Sequence, residues 1–238
     1  MGKKLTDAQQ LALFENFTPK VKECLLEQAR NGWVCPRAQR RLWQMTGGME
    51  ILKVQAENGE LSAYVQMELF NHDGGLELLM LQAERGYLLQ KAQRKVSKLP
   101  NASEFLLALA KKGKLHAQEE AFLLSNADEV ILEQAKNGYI YGDASLMKVF
   151  ELPSANESLL ALAEKEYFDP KVQMKAFELP GVEKILLAQA KHGWLDNDVQ
   201  VKALNLANAK EIVLALLKVG ALCKQAQIKA LELGYITA

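Results

Sequence analysis

The sequence is poor in the residues that build metal sites, phosphate loops and disulfide scaffolds. Its 238 residues include only three histidines, three cysteines and 15 glycines. Cys24, Cys35 and Cys223 are odd in number and lack a Cys-x-x-Cys spacing, so we expect free thiols and a reducing, cytoplasmic environment. No apolar run reaches the roughly 18 residues of a membrane span, and the N-terminal residues lack the apolar core of a signal peptide. We therefore expect a chain that is neither secreted by that route nor membrane-spanning.

Catalytic and cofactor motifs are also missing. The chain has no Gly-x-Gly-x-x-Gly, no phosphate-binding P-loop, no His-Glu-x-x-His and no Gly-x-Ser-x-Gly. His72, His116 and His192 have no carboxylate at ligand spacing, so we interpret them as surface or capping residues. These absences predict a non-enzymatic protein without a cofactor or a metal.

Charge is balanced over the whole chain but not along it. The 29 basic and 29 acidic residues give a net charge of zero, which speaks against a general binder of polyanions. Residues 1–118 hold 17 basic and 12 acidic residues, whereas residues 119–238 hold 12 and 17. Hydrophobic residues make up 49%, enough for a buried core. The neutral average thus divides into a basic half and an acidic half.

A repeated unit runs through almost the whole chain. Eight segments resemble LLEQARNGWV (25–34), and their turn residues recur at steps of 27, 27, 27, 25, 28, 27 and 27. A period this regular indicates repeated supersecondary units. The turn residues are Gly32, Gly59, Gly86, Gly113, Gly138, Glu166, Gly193 and Gly220.

Each unit is predicted to contain two short helices. In the first helix, apolar residues recur at three- and four-residue spacing, and a column of alanines marks a close helix contact. Left-handed glycines are expected to end these helices; at Glu166 that conformation would cost roughly 1–2 kcal/mol, so a different turn is expected there. Four first helices are predicted to begin with capping boxes, at Asn101, Asn126, Ser154 and Asn208.

The second helix carries a pattern that is seen in VQMKAFEL (172–179), VQVKALNL (199–206) and AQIKALEL (226–233). Here the chain resembles HEAT repeats and leucine-rich-repeat-variant proteins, whose second helix has a Val-Arg-x-x-Ala pattern followed by a leucine. A glutamine stands in the place of their arginine. The resemblance covers nearly the whole chain and implies an all-α solenoid of about eight two-helix repeats of ~27 residues. Such families mostly bind partners, so the resemblance implies little about chemistry.

We predict a single α-solenoid domain over residues 1–238. Residues 5–17 are expected to form an N-terminal capping half-repeat, because they match the second helix alone. In this segment Thr6 begins a capping box and Gln9 is assigned to the glutamine column. Residues 18–234 are expected to form the eight helical-hairpin repeats.

One position of the second helix is predicted to point away from everything buried. Single exposed apolar residues there would be ordinary, whereas a continuous stripe in successive repeats would indicate partner binding. Methionine suits such a surface because its flexible side chain adapts to varied partners. With its basic flanks, the predicted partner-binding face consists of Arg37, Arg40, Met67, Lys91, Arg94, Met147, Met174, Val201 and Ile228.

Three further columns leave alternatives open. The glutamines form either an interior ladder or a row that recognises a ligand. Residues that discriminate between ligand units vary from repeat to repeat, and the glutamines hardly vary, so we favour the ladder. A row of Lys and Arg beside them either tracks a phosphate backbone or covers the helix flank with aliphatic stems. Aromatic residues after the turn glycine either pack over helix ends or form a ridge for a partner. These aromatic residues are Trp33, Tyr87, Tyr139, Tyr167 and Trp194.

The expected function is a protein- or peptide-binding scaffold that uses the second-helix face. The alternative is a nucleic-acid-binding or DNA-repair protein that resembles the HEAT-like glycosylases, although no acidic catalytic residue can be assigned. An immunity or inhibitor protein that occludes an enzyme is a third hypothesis. Nucleic acid is the less favoured partner, and no membrane partner is expected.

Overall fold

The computed structural model describes residues 4–32 and 34–237, which contain 17 α-helices, three short 3-10 helices and no strand. This confirms the predicted all-α, solenoid-like repeat fold. The chain divides into two compact units: unit 1 extends to Leu124, and unit 2 starts at Ser125. The single domain over residues 1–238 stays a prediction. None of the described helices has the length and apolar character that crossing a membrane requires.

Unit 1 contains a capping helix and four helical hairpins. Its first helices, α2, α4, α6 and α8, pack in sequence, and so do its second helices α1, α3, α5 and α7. The helices are α1 (Asp7–Ala12), α2 (Pro19–Arg30), α3 (Pro36–Leu42), α4 (Gly48–Glu57), α5 (Ala63–Glu68), α6 (Gly75–Arg85), α7 (Gln90–Val96), α8 (Ala102–Lys111) and α9 (Gln118–Ala121), with 3-10 helices at Leu13–Asn16 and Leu69–Asn71.

Unit 2 repeats the same arrangement in four hairpins. Its first helices, α10, α12, α14 and α16, pack in sequence, as do the second helices α11, α13, α15 and α17. The helices are α10 (Ala127–Asn137), α11 (Asp143–Val149), α12 (Ala155–Ala163), α13 (Pro170–Lys175), α14 (Val182–Lys191), α15 (Asn197–Ala203), α16 (Ala209–Lys218) and α17 (Lys224–Glu232), with a 3-10 helix at Ala176–Glu178.

The alanine column lies where neighbouring first helices approach each other. Its members are completely buried, and the carbonyls of Ala29 and Ala56 accept hydrogen bonds from Gln55 and Gln82 of the next first helix. A methyl side chain is small enough for this close approach. Leu217 occupies the same position in the last repeat and is 46% exposed. The buried members are Ala29, Ala56, Ala83, Ala110, Ala135, Ala163 and Ala190.

Each of the four residues that were predicted to begin a capping box stands at the start of its helix. The predicted side-chain capping is wrong, however. Within the described chain, none of the four side chains makes a capping hydrogen bond. Asn101, for example, has φ −98° and ψ 23° rather than the extended backbone of a side-chain cap. A preceding turn replaces the cap, since the Ala102 N–H donates to the Leu99 carbonyl at 3.0 Å. Thr6, in contrast, makes the predicted capping box with Gln9.

Left-handed glycines end most first helices, as predicted. Gly59, Gly86, Gly113, Gly193 and Gly220 have φ between 63° and 79°. At Gly32 (φ 157°) and Gly138 (φ −148°) the prediction is wrong, because neither has a left-handed helical backbone.

The expected exception at Glu166 is confirmed. Among the described residues no position other than glycine has a positive φ. The Glu166 N–H donates to the Leu162 carbonyl at 2.9 Å, so the helical hydrogen-bond pattern continues to this residue.

Candidate partner-binding face

The glutamine column is an interior ladder that links consecutive repeats. The Gln66 amide nitrogen donates to the Leu61 carbonyl of its own repeat at 3.0 Å and to the Tyr87 carbonyl of the next repeat at 3.1 Å. Its amide oxygen accepts the Leu89 N–H at 2.9 Å. The same three bonds recur at Gln39, Gln93, Gln173 and Gln200. The ladder is therefore structural, as predicted.

In the capping half-repeat, the predicted ladder residue is wrong by one position. Gln10, not Gln9, holds the ladder position, because its amide oxygen accepts the Cys35 N–H at 2.7 Å. Gln9 instead accepts the Thr6 N–H at 2.9 Å. At the other end of the chain, Gln227 is exposed, unlike the buried ladder residues of the earlier repeats.

A second glutamine column on the first helices was missed from the sequence. Gln55 donates to the Ala29 carbonyl at 3.2 Å and accepts the Val34 N–H at 2.7 Å. The signal was a glutamine directly before the alanine column in five repeats, at Gln28, Gln55, Gln82, Gln134 and Gln189. These buried amides also join one repeat to the next.

Two lysines of the basic row beside the ladder lie over aromatic rings of the preceding repeat. The Lys95 ammonium lies 4.3 Å from the centre of the Phe70 ring, and that of Lys202 lies 4.2 Å from the centre of Phe177. At these two positions the side chains lie along the neighbouring repeat, which favours the interpretation that the row covers the helix flank. A track for a phosphate backbone is not needed to account for the row.

In unit 2 the predicted face is exposed and mostly apolar. Met147, Met174 and Ile228 are 37%, 38% and 51% exposed, and Val201 is half-buried. Met147 lines a groove of about 370 Å³ between the end of α11 and the region from Lys175 to Leu179. The other lining residues are Lys148, Phe150, Glu151, Lys175, Glu178 and Leu179.

In unit 1 the same face is basic. Arg37, Arg40, Lys91 and Arg94 are exposed, and Met67 is half-buried. The Arg40 guanidinium lies 4.4 Å from the centre of the Tyr64 ring. The Arg94 side chain lies 3.7 Å from the Glu120 carboxylate, so two of these cations already have partners within unit 1.

The aromatic residues after the turn glycine are mostly exposed. Tyr87 and Tyr167 are among the exposed large side chains, while Trp194 is half-buried and stacks on His192 with ring centres 4.3 Å apart. Tyr87 packs over Gly59, because a Cβ there would lie 2.3 Å from its ring. Trp33 lies outside the described residues.

Glu166 is an ionisable group in a turn of unit 2 that the sequence singled out only for its backbone. Burial raises its pKa to about 7, although a backbone hydrogen bond with Ile140 and the charge of Lys165 act in the opposite direction. Its Oε1 atom is buried without a hydrogen-bond partner in the described structure. The three cysteines are free, and the described residues contain no cluster of three His, Cys, Asp or Glu side chains that could hold a metal ion.

The fold and this face define an all-α repeat protein that presents a column of exposed side chains on its second helices. No family model, curated protein or solved structure matches the chain.

Proposed function

We propose that this chain is a HEAT-like, non-enzymatic, cytoplasmic scaffold that binds a protein or peptide through its second-helix face. The observation that carries the proposal is the pair of exposed methionines, Met147 and Met174, at the same position of consecutive repeats in unit 2. Methionines at such positions offer a flexible apolar surface that adapts to a partner. The free thiols fit a cytoplasmic location.

The groove beside Met147 has the chemistry of a site for an apolar side chain. Phe150 and Leu179 contribute apolar surface, and its volume of about 370 Å³ lies within the range of small binding clefts. Glu151 and Glu178 bring carboxylates to its edge, and the Glu178 carboxylate is 2.5 Å from the Lys175 ammonium. Lys148 and Lys175 line the same groove, so its edge carries both charges. The proposed occupant is therefore a segment that inserts an apolar side chain.

A peptide selection tests the proposal. Peptides are selected from a random library on the full chain, and their affinities are then measured for Met147→Asp with Met174→Asp. We expect affinity to fall by at least about tenfold, because a buried apolar contact is replaced by a desolvated charge. Leu214→Asp is the matched control, since this equally apolar, 46% exposed residue lies on a first helix of the same unit.

Selected peptides that bind the double variant as tightly as the unchanged protein would refute the second-helix face. Thermal unfolding of both variants checks that the repeats stay folded. The basic face of unit 1 allows a second experiment: reversing the charges of Arg40 and Arg94 should weaken only those peptides that carry acidic residues.

Nucleic-acid binding and enzyme inhibition stay as the competing hypotheses. The contacts of Lys95 and Lys202 with phenylalanine rings give these two members of the basic row a role without nucleic acid. A salt titration with duplex and single-stranded DNA separates the classes, because phosphate contacts weaken as salt rises. Co-purification of a stoichiometric enzyme would instead support an inhibitor.

A further inference from the structure

Three consecutive repeats of unit 2 share a motif that unit 1 lacks. In each of them an aromatic residue follows the turn, and an aspartate stands at the start of the second helix. The pairs are Tyr139 with Asp143, Tyr167 with Asp169, and Trp194 with Asp196. We call these six residues the acidic–aromatic edge.

The three aspartates lie close enough to one tyrosine to influence its ionisation. The pKa of Tyr167 is raised by burial and then by the negative charges of Asp169, Asp196 and Asp143. The second helices that these aspartates begin, α11, α13 and α15, pack in sequence. The edge is therefore one surface of unit 2 and not three separate sites.

Two of the three carboxylates of the edge have local backbone partners, and none of the three has a cationic partner in the described part of unit 2. Asp169 accepts the Lys171 N–H at 2.8 Å, and Asp196 accepts the Asp198 N–H at 2.9 Å. Within the described part of unit 2, no lysine or arginine forms an ion pair with Asp143, Asp169 or Asp196. Each carboxylate thus carries a charge that no side chain of the unit neutralises by direct contact.

The lysines around the edge leave its charge negative. The Lys165 ammonium donates to the backbone carbonyls of Ala135, at 2.8 Å, and of Lys136. Lys171 is exposed beside Asp169, whereas Asp198 adds a further exposed carboxylate beside Asp196. Tyr139 and Tyr167 are 46% and 53% exposed, so aromatic surface accompanies the carboxylates.

The corresponding positions of unit 1 have a different chemistry. Its second helices α3, α5, α7 and α9 begin after Cys35, Ser62, Leu89 and Ala117, none of which carries a negative charge. The position after the turn glycine holds Trp33 and Tyr87 in two repeats of unit 1 and Glu60 and Lys114 in the other two, so the aspartate is what unit 1 lacks. The motif is therefore not a requirement of the repeat, whose ladder and core are the same in both units.

Exposed aromatic rings next to carboxylates attract organic cations by two additive effects. The ring faces bind ammonium and guanidinium groups through their quadrupole, and the carboxylates bind them through charge-assisted hydrogen bonds. Consecutive helices pack about 8–10 Å apart, which is the length of about three residues of extended chain. A basic side chain at every third residue of an extended segment would therefore meet one repeat after another.

We propose that the acidic–aromatic edge binds an extended protein segment with arginine or lysine at every third position. This goes beyond the second-helix face, because the edge lies at the starts of these helices and takes a cationic ligand. Arginine is the better ligand, since its planar group pairs with a carboxylate and stacks on a ring at the same time.

The probe is a fluorescent peptide in which Arg-Gly-Ser is repeated three times, and its binding to the full chain is measured by anisotropy at low salt. We expect saturable binding that weakens as salt rises. Changing Asp143, Asp169 and Asp196 to Asn should weaken it by about tenfold, because three carboxylate charges are lost while Asn can still cap the helices at 169 and 196. Tyr167→Leu should weaken it by about threefold.

The matched control removes three other exposed carboxylates of unit 2, by changing Glu129, Glu157 and Glu211 to Gln. Its affinity for the peptide should stay within about twofold, because these residues lie in the first turns of the first helices. A peptide of the same composition with its three arginines adjacent should bind more weakly than the spaced peptide.

Three results would overturn the proposal: no saturable binding up to about 1 mM peptide, equal losses in the Asn and Gln variants, or equal affinity for the two arginine spacings. None of these variants alters Met147 or Met174. A failure here therefore leaves the proposed second-helix face untouched, and a failure of that face leaves this test valid.

Discussion

Units 1 and 2 share their buried columns and differ in their exposed ones. Gln66 in unit 1 and Gln173 in unit 2 make the same three hydrogen bonds, and the alanine column is completely buried in both units. On the outward position of the second helix, however, unit 1 has Arg40 and Arg94 on either side of Met67, whereas unit 2 has Met147 and Met174 in consecutive repeats. The buried columns therefore maintain the repeat, while the exposed columns are free to acquire a ligand.

The glutamine ladder offers the strongest test of whether the buried columns contribute equally to stability in the two units. Gln66→Ala and Gln173→Ala should each lower the free energy of unfolding by on the order of 2–4 kcal/mol, because each leaves two carbonyls and one N–H without their partner. Gln227→Ala, at an exposed position, should change it by less than about 0.5 kcal/mol. Urea unfolding measures the free energy of unfolding of all three variants. A large difference between Gln66→Ala and Gln173→Ala would show that the ladder does not contribute equally in the two units.

The alanine column tests the same equivalence through packing. Ala83→Leu in unit 1 and Ala190→Leu in unit 2 should each cost about 1–3 kcal/mol, because neither site has room for a larger side chain. Leu217→Ala, the reverse change at the exposed end of the column, is the control and should be nearly neutral. If Ala190→Leu were also neutral, close helix contact would not be the reason for the alanine.

In unit 2, Glu166 stands where the other repeats have a turn glycine, and its side chain should make the stability of the chain depend on pH. Its folded-state pKa of about 7 lies above the usual value of 4.5, so the folded chain binds this proton more tightly than the unfolded chain. The stability that protonation contributes is therefore fully present below about pH 4.5 and is lost as the pH rises through 7.

Glu166→Gln should accordingly stabilise the chain at pH 8 by on the order of 1 kcal/mol, a value reduced because the side chain is only partly buried. The gain should disappear near pH 5. Glu157→Gln, at an exposed position of the same repeat, is the matched control for removing one carboxylate. Chemical unfolding at the two pH values gives the answer, and an equal gain at both would contradict the burial of the Glu166 carboxylate.

The sequence was sufficient to predict what repeats and what is buried. The alanine column and the ladder glutamines recur at a fixed step, and their polar or apolar character predicts a satisfied interior position. The outward exposure of Met147 and Met174 followed from helical geometry alone. Such columns are visible in a single sequence because its eight repeats can be aligned with one another.

Local backbone geometry was less predictable. Asn101 and Asn208 have the composition of capping residues, but a turn places their backbone outside the extended region from which the side chain reaches the helix. The one-residue shift from Gln9 to Gln10 arose because two adjacent glutamines fit the same pattern. The influence of three aspartates on Tyr167 required the packing of separate repeats, which residue spacing does not give.

Methyl NMR of the seven methionines tests the second-helix face most directly. On addition of a selected peptide, the methyl signals of Met147 and Met174 should shift, while those of Met45 and Met49, outside the proposed face, should stay in place. Shifts confined to Met80, which lines a groove between first helices of unit 1, would contradict the proposed face.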